Sequence, residues 1–303
     1  MAPYGANRFW LLAVGLAAYA ALLVLAFALQ GRRDLGAGIL PSRVGPARGH
    51  LSSSLALTLR LARATLVGWF AAFVVLGAVV GSLAGNVQSF LDSPETTDLL
   101  RKMGGCEGSL IDTFFATEIH VAAVAVAALG ISLVTRMRAE ETGGRAETVL
   151  ATGVPRWRWA VEHIVVAVVA TAGLMLCLGV VAGAMDAGRT GDAASLIGRL
   201  TGAGLSTLPA VWVCIGVATV LFGLVPRFTG VAWAVLVAFF ALGEFGELLG
   251  LPSVVSGLSR FAHLPALPGG QVAVGTALVL VGVAVASLVA GPAGLTRRDL
   301  PAD

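Results

Sequence analysis

Lysine is almost missing from this chain: Lys102 is the only one, and Met103 follows it. That excludes a GxxxxGK[ST] loop, in which a lysine and the hydroxyl after it grip a nucleotide's phosphates. HExxH, GxSxG and GxGxxG are absent as well, so a zinc hydrolase, a nucleophile-elbow hydrolase and a dinucleotide site all lack their usual spacing. The three cysteines, Cys106, Cys177 and Cys214, contain no CxxC pair, which leaves a zinc ligand set or redox couple without support. Charge is scarce too, at 12% of residues with a net +3, and no basic face of the kind nucleic acid requires is present.

What is abundant is apolar sequence. With 57% hydrophobic residues and a mean hydropathy of +0.89, the chain lies outside the range of water-soluble domains. Crossing a hydrocarbon layer of roughly 30 Å takes about 20 apolar residues in a helix. Seven runs qualify: Phe9 to Leu29, Thr65 to Ala84, Phe114 to Thr135, Trp159 to Ala184, Leu205 to Val225, Gly230 to Leu249 and Val272 to Gly291. The expected fold is therefore an all-α polytopic membrane protein with about seven transmembrane helices.

Orientation follows from arginine placement, because basic residues in short loops stay on the cytoplasmic side. If the loop between the third and fourth runs is inside, so are Arg32, Arg33, Arg43, Arg48, Arg60, Arg63, Arg136, Arg138, Arg145, Arg156, Arg158, Arg227, Arg297 and Arg298. Those are fourteen of the twenty basic residues, leaving Arg8, Arg101, Lys102, Arg189, Arg199 and Arg260 outside. The expected location is the cell membrane, with the amino terminus outside and the carboxyl terminus cytoplasmic. Ala26-Phe27-Ala28 has the small-x-small form of a signal cleavage site, but the long apolar run before it and Arg32-Arg33 after it suit a retained span.

Arg32-Arg33-Asp34-Leu35 after the first run returns as Arg297-Arg298-Asp299-Leu300 after the last. A paired arginine is a common stop signal; the sharper reading is a duplicated unit of six spans, of which this chain holds one span of the first copy and all of the second. Residues 36–50 form a Pro/Gly linker. Leu51 to Arg63 repeats apolar residues at helical spacing, which fits either an interfacial helix that turns into the next span or the start of that span itself. Gly77, Gly81 and Gly85 in the second run, and Gly179 and Gly183 in the fourth, make ridges where helices approach closely.

Ionisable residues near span ends are the remaining site candidates. Glu118 and His120 are two apart and cannot share a helix face, which argues against a joint metal or acid-base site. Glu162 and His163 sit beside Trp157 and Trp159, as interfacial anchors do. Glu244 and Glu247 share a face and are read either as a substrate contact or outer gate, or as solvated interface.

The centre of the chain is a hydrophilic island, Arg136 to Trp159. Ala139, Ala146, Val149 and Leu150 can share one face of a short helix, with Glu141 and Arg145 paired four apart in the favourable order. Gly153 stops that helix and Pro155 starts the next.

The island's Arg138-Ala139-Glu140-Glu141, Gly144-Arg145-Ala146-Glu147, Leu150-Ala151-Thr152 and Arg156-Trp157-Arg158-Trp159 resemble the permease subunits of actinobacterial ABC exporters of the polyketide-antibiotic or tetronasin-resistance type. Arg33 to Gly36, Gly223 to Arg227 and Leu258 to Pro265 follow the same pattern, except that proline is expected at Arg260. The resemblance covers nearly the whole chain but only the second half of a usual member. It implies residues 1–50 as the last span of a first repeat unit plus linker, and residues 51–303 as a six-span ABC-2 type unit. Within that unit it implies an elbow helix at 51–63, a coupling helix at 138–151 and a pair of short outer helices within 251–268.

Arg138, Glu140, Glu141, Arg145 and Glu147 would then couple the membrane unit to a separate ABC ATPase subunit that carries ATP and Mg, while this chain carries no cofactor. Glu244, Glu247 and Glu118 would line a substrate path or gate. Further partners implied are the missing first-half unit or a second permease copy, and membrane lipid. The cargo would be antibiotics or other bulky amphipathic molecules. A proton-coupled secondary transporter and an inactive or assembly fragment are the alternatives; the first wants a carboxylate or histidine near mid-bilayer.

Overall fold

The computed structural model describes residues 10–30, 53–91, 107–190, 193–245 and 274–298. The chain falls into two compact units, Met1–His50 and Leu51–Asp303. The first contributes one described helix, α1 (Trp10–Gln30). The second contains α2 (Ser54–Leu91), α3 (Glu107–Thr142), α4 (Arg145–Leu150), α5 (Arg156–Thr190), α6 (Ala193–Ser206), α7 (Leu208–Leu224), a 3-10 turn (Pro226–Phe228), α8 (Val231–Phe245) and α9 (Val274–Thr296). No strand occurs among the described residues, and the described residues of the seven apolar runs are helical apart from Thr207, Val225 and Gly230.

Five stretches are long and apolar enough to cross a membrane: Ser54–Ala84, Ile111–Thr142, Arg156–Ala187, Ala193–Leu224 and Val274–Thr296. Tyr19–Gln30 and Val231–Leu242 are shorter apolar helices. The chain is thus an all-α, multi-pass membrane protein. Several helices outrun the hydrocarbon. The 38 residues of α2 rise about 57 Å at 1.5 Å each, against a core of roughly 30 Å.

Among the described residues of 51–63, no turn sets a helix off from the span. From Ser54 onward these residues are the first turns of α2, which continues unbroken through Arg63. The reason is local: no proline, and no glycine before Gly68, interrupts the segment, so nothing ends the hydrogen-bond ladder there. Ser53 accepts the Ala56 amide on its hydroxyl at 3.2 Å at the helix start, as an N-cap does.

At the centre of the second unit stands α7, with eleven of its 17 residues buried, among them Val211, Ile215 and Phe222. It packs along α9 and against α3, while α5 packs along both α2 and α6. The outer helices expose apolar side chains instead, such as Val67 and Val75 on α2 and Leu278 and Val289 on α9, as lipid-facing surfaces do.

Glycine sets the closest approaches. A methyl group at Gly77 of α2 would stand 3.0 Å from Val181 Cβ on α5. The Gly179 and Gly183 pair on α5 faces α6, where added methyls would meet the Thr201 and Ile197 Cα atoms at 2.6 and 2.7 Å. The two ridges therefore serve different neighbours rather than one another. The fifth run begins twelve residues earlier than its apolar stretch suggests, because α6 adds a polar-faced extension carrying Arg199. Pro209 in the first turn of α7 has no amide hydrogen to continue the ladder from α6, and Thr207 occupies the join, its hydroxyl donating to Gly204 O at 2.8 Å.

Candidate charged network at the helix ends

The island folds as two helices rather than one spanning 138–151. The span helix α3 continues through Arg136, Arg138, Glu140 and Glu141 to Thr142. Gly143 and Gly144 then interrupt it, with Gly144 in the left-handed region at φ 68°, a conformation that costs other residues about 1–2 kcal/mol. The six-residue α4 follows and ends before Gly153, also left-handed at φ 85°. Pro155 precedes α5, its carbonyl accepting the Arg158 and Trp159 amides at 3.0 and 3.1 Å, as expected of a helix start.

This break removes the predicted Glu141–Arg145 pair, because residues four apart meet only when the helix between them is continuous. Arg145 folds back instead, and its Nη2 donates to Ala139 O at 3.0 Å. The same carbonyl accepts the Gly143 amide at 3.2 Å, so the guanidinium adds a second bond at the end of α3. Of the predicted apolar face, Ala146 is buried and Val149 and Leu150 pack against the core, while Ala139 is exposed on the other side of the break. Arg145 and Glu147 are exposed. The short helix is thus seated by its apolar side and presents its charges outward.

Glu141 finds partners elsewhere. Its Oε2 accepts from Arg138 Nη1 at 3.1 Å and its Oε1 pairs with Arg298 Nη2. Arg298 lies just past the end of α9; its Nη1 reaches Phe222 O on α7 at 3.4 Å, and its guanidinium stacks 5.5 Å from the Phe222 ring centroid. Arg156, the first residue of α5, donates from Nη1 to Arg298 O at 2.8 Å. One arginine therefore joins the ends of α3, α5, α7 and α9. Burial lowers the pKa of Arg298 from the ordinary arginine value, and the Glu141 carboxylate acts against that shift.

Beside it lies a second cluster. Glu140 meets Arg136 Nε at 3.5 Å and His163 Nε2 at 3.3 Å, and His163 Nδ1 lies 2.9 Å from Trp159 O. A carbonyl accepts only, so Nδ1 carries a hydrogen. These groups line a narrow cleft with Thr58 and Ala62 of α2 and Leu133 of α3. Glu162 completes the set, accepting from Arg158 Nε at 3.1 Å and from the Ser54 hydroxyl at 2.7 Å, which fastens the start of α2 to α5.

Sequence reading placed Glu162 and His163 as interfacial anchors. Both are buried, at 7% and 5% exposure, because their partners on α2 and α3 replace water. Trp159 is core as well, edge-on to His163 at 5.0 Å, whereas Trp157 is exposed and fits the anchoring role. Arg138 and Glu141 are brought together, Glu140 joins Arg136 and His163 in the neighbouring cluster, among the described residues Arg145 reaches only the Ala139 carbonyl, and Glu147 is exposed on α4. Glu118 is 22 residues before Glu140 on α3, about 33 Å along the helix, and lies outside the network. At that far end Asp112 pairs with Arg199 at 2.7 Å, tying α3 to α6. The Glu244 side chain, Glu247 and the outer segment 251–268 lie outside the described residues. Arg298, Phe222 and Ser54 were not legible as site residues. The one signal for Arg298 was the repeated Arg-Arg-Asp-Leu, which marks a span end without naming a partner.

The chain is 38% identical over 301 residues to the multidrug efflux system permease protein Rv1217c of Mycobacterium tuberculosis (strain ATCC 25618 / H37Rv). That stretch is 98% of this chain and 55% of the relative, so the chain spans about half the length of the curated relative it matches. Residues 51–295 match the family described as the C-terminal domain of the multidrug efflux system permease Rv1217c, in agreement with the resemblance carried by the island's motifs, and the chain belongs to that family.

Proposed function

We propose that this chain is the second membrane unit of an ATP-driven exporter of bulky amphipathic molecules, antibiotics among them. It is a transport subunit rather than an enzyme, with ATP and Mg held by a separate ATPase. The observation that carries the reading is α4: a short helix whose apolar side is seated on the core and whose Arg145 and Glu147 are exposed. The flanking ends of α3 and α5 are tied through Arg298 to α7 and α9. A partner that pushes on α4 thereby pushes on helices that run the length of the bundle, as a coupling element requires. The relative's description as a multidrug efflux permease supports the same class. In this reading the network end faces the cytoplasm and the amino terminus lies outside. The other half of the membrane unit comes from a first-half polypeptide or from a second copy.

Among the described residues, the Glu140–His163 pair is the feature that favours a proton-coupled transporter. It sits within the last turn of α3, at a span end rather than at mid-depth where such carriers place their titrating groups, so the ATP-driven reading stands ahead. The test is export of a cationic dye from cells expressing the chain with its other membrane half and a candidate ATPase. Arg145→Glu with Glu147→Arg reverses both exposed charges of α4. Export and ATPase co-purification are expected to fall at least tenfold while membrane insertion is unchanged, since opposed like charges across a contact cost several kcal/mol (roughly 2–5). Export that persists without ATP and collapses with the proton gradient would replace this reading with the proton-coupled one.

A further inference from the structure

The coupling reading leaves unused a shallow groove along α2, about 720 Å³ in volume, with Arg60 and Arg63 at one end and Leu66, Val67, Phe70 and Val74 along it. Both arginines are exposed, and neither has a hydrogen-bond or ion-pair partner among the described residues. Their depth can be read from their neighbours. Thr58 and Ala62, on the same turns of α2, line the cleft that holds Glu140 and His163, so Arg60 and Arg63 stand level with the charged network at the membrane edge. Val74 is 14 residues beyond Arg60, about 21 Å along the helix axis, which reaches past the middle of a hydrocarbon core of roughly 30 Å.

A ligand that fits must therefore carry negative charge at headgroup depth and an apolar tail one leaflet long. A protein helix seated there would bury two guanidiniums unless it brought carboxylates to both, and uncompensated buried charge is strongly unfavourable. An anionic lipid brings its own phosphate, whose oxygens match the planar fork of arginine. We propose that α2 carries a binding site for an anionic phospholipid, with the phosphate held by Arg60 and Arg63 and one acyl chain laid along Leu66, Val67, Phe70 and Val74.

The test uses the full chain purified in a neutral detergent, with bound lipid counted by native mass spectrometry. Phosphatidylglycerol and phosphatidylcholine of identical acyl chains are offered together. The unaltered chain is expected to retain phosphatidylglycerol in about thirtyfold preference, the order expected of two basic residues at an anionic headgroup layer. Arg60→Gln with Arg63→Gln changes only exposed side chains and is expected to abolish the preference at unchanged helix content. Val74→Trp, which fills the groove, is expected to lower retention of both lipids. Inorganic phosphate at millimolar concentration is expected not to displace the lipid; displacement would show a phosphate site with no role for the groove and overturn the assignment. Equal retention of the two lipids by the unaltered chain, or an unchanged preference in the double variant, would overturn it as well. So would efficient disulfide dimerisation of an Arg63→Cys variant in vesicles, which would place a second copy in the groove.

Discussion

Arg298→Gln is the most informative single change. The guanidinium it removes pairs with Glu141, whose side chain is only 5% exposed, and also reaches Phe222 O. Truncating one member of a buried ion pair costs about 3–5 kcal/mol when the other charge is left alone. Glu141 is not left alone, because Arg138 remains at 3.1 Å and is itself partly solvated. The Arg156 bond to the main-chain carbonyl of residue 298 also survives the substitution. The expected loss is therefore about 2–3 kcal/mol. Glutamine at Glu141 supplies the other arm of a double-mutant cycle, measured as unfolding free energies in bicelles by steric trapping. Residues sharing such a contact couple by roughly 0.5–3 kcal/mol, and this pair is expected in the upper half of that range. Arg145→Gln in the same cycle with Glu141→Gln is expected to show coupling under about 0.5 kcal/mol, since Gly144 turns Arg145 away. Coupling that is larger for Glu141 with Arg145 than for Glu141 with Arg298 would refute the network and restore the continuous helix that the spacing suggests.

Gly179→Val places a branched side chain where even a methyl would stand 2.6 Å from the Thr201 Cα; it is expected to destabilise the α5–α6 contact by about 1–3 kcal/mol or more, seen as lost folded yield. Gly198→Ala, with nothing near the added methyl, is expected to be neutral or to stabilise α6 by up to about 1 kcal/mol. The purified chain is expected to hydrolyse no ATP, because it lacks a phosphate-binding loop; turnover that survives removal of contaminating ATPases would defeat the exporter reading. A reporter active only in the cytoplasm is expected to work when fused after Asp303 and to fail at Met1, and the reverse result would invert the orientation drawn from arginine placement.

The helical class, the apolar runs and their order are properties of the sequence alone. A segment of twenty apolar residues in lipid has to satisfy its backbone internally, and a helix does so without help from the rest of the chain. The punctuation of the island was equally local: Gly153 and Pro155 end and begin helices as their backbone preferences require. The same reasoning undervalued Gly143-Gly144, whose break decides where Glu141 and Arg145 go. Partners were beyond its reach. Glu141 and Arg298 are 157 residues apart, and which of the many arginines meets a given carboxylate depends on how α3, α5, α7 and α9 cross. Those crossings are set by where glycines let helices approach, Gly223 against Gly291 between α7 and α9 and Gly130 of α3 against Ile215 of α7. Composition and spacing cannot assign such contacts, because in lipid every apolar face is equally content with hydrocarbon and only shape selects the neighbour.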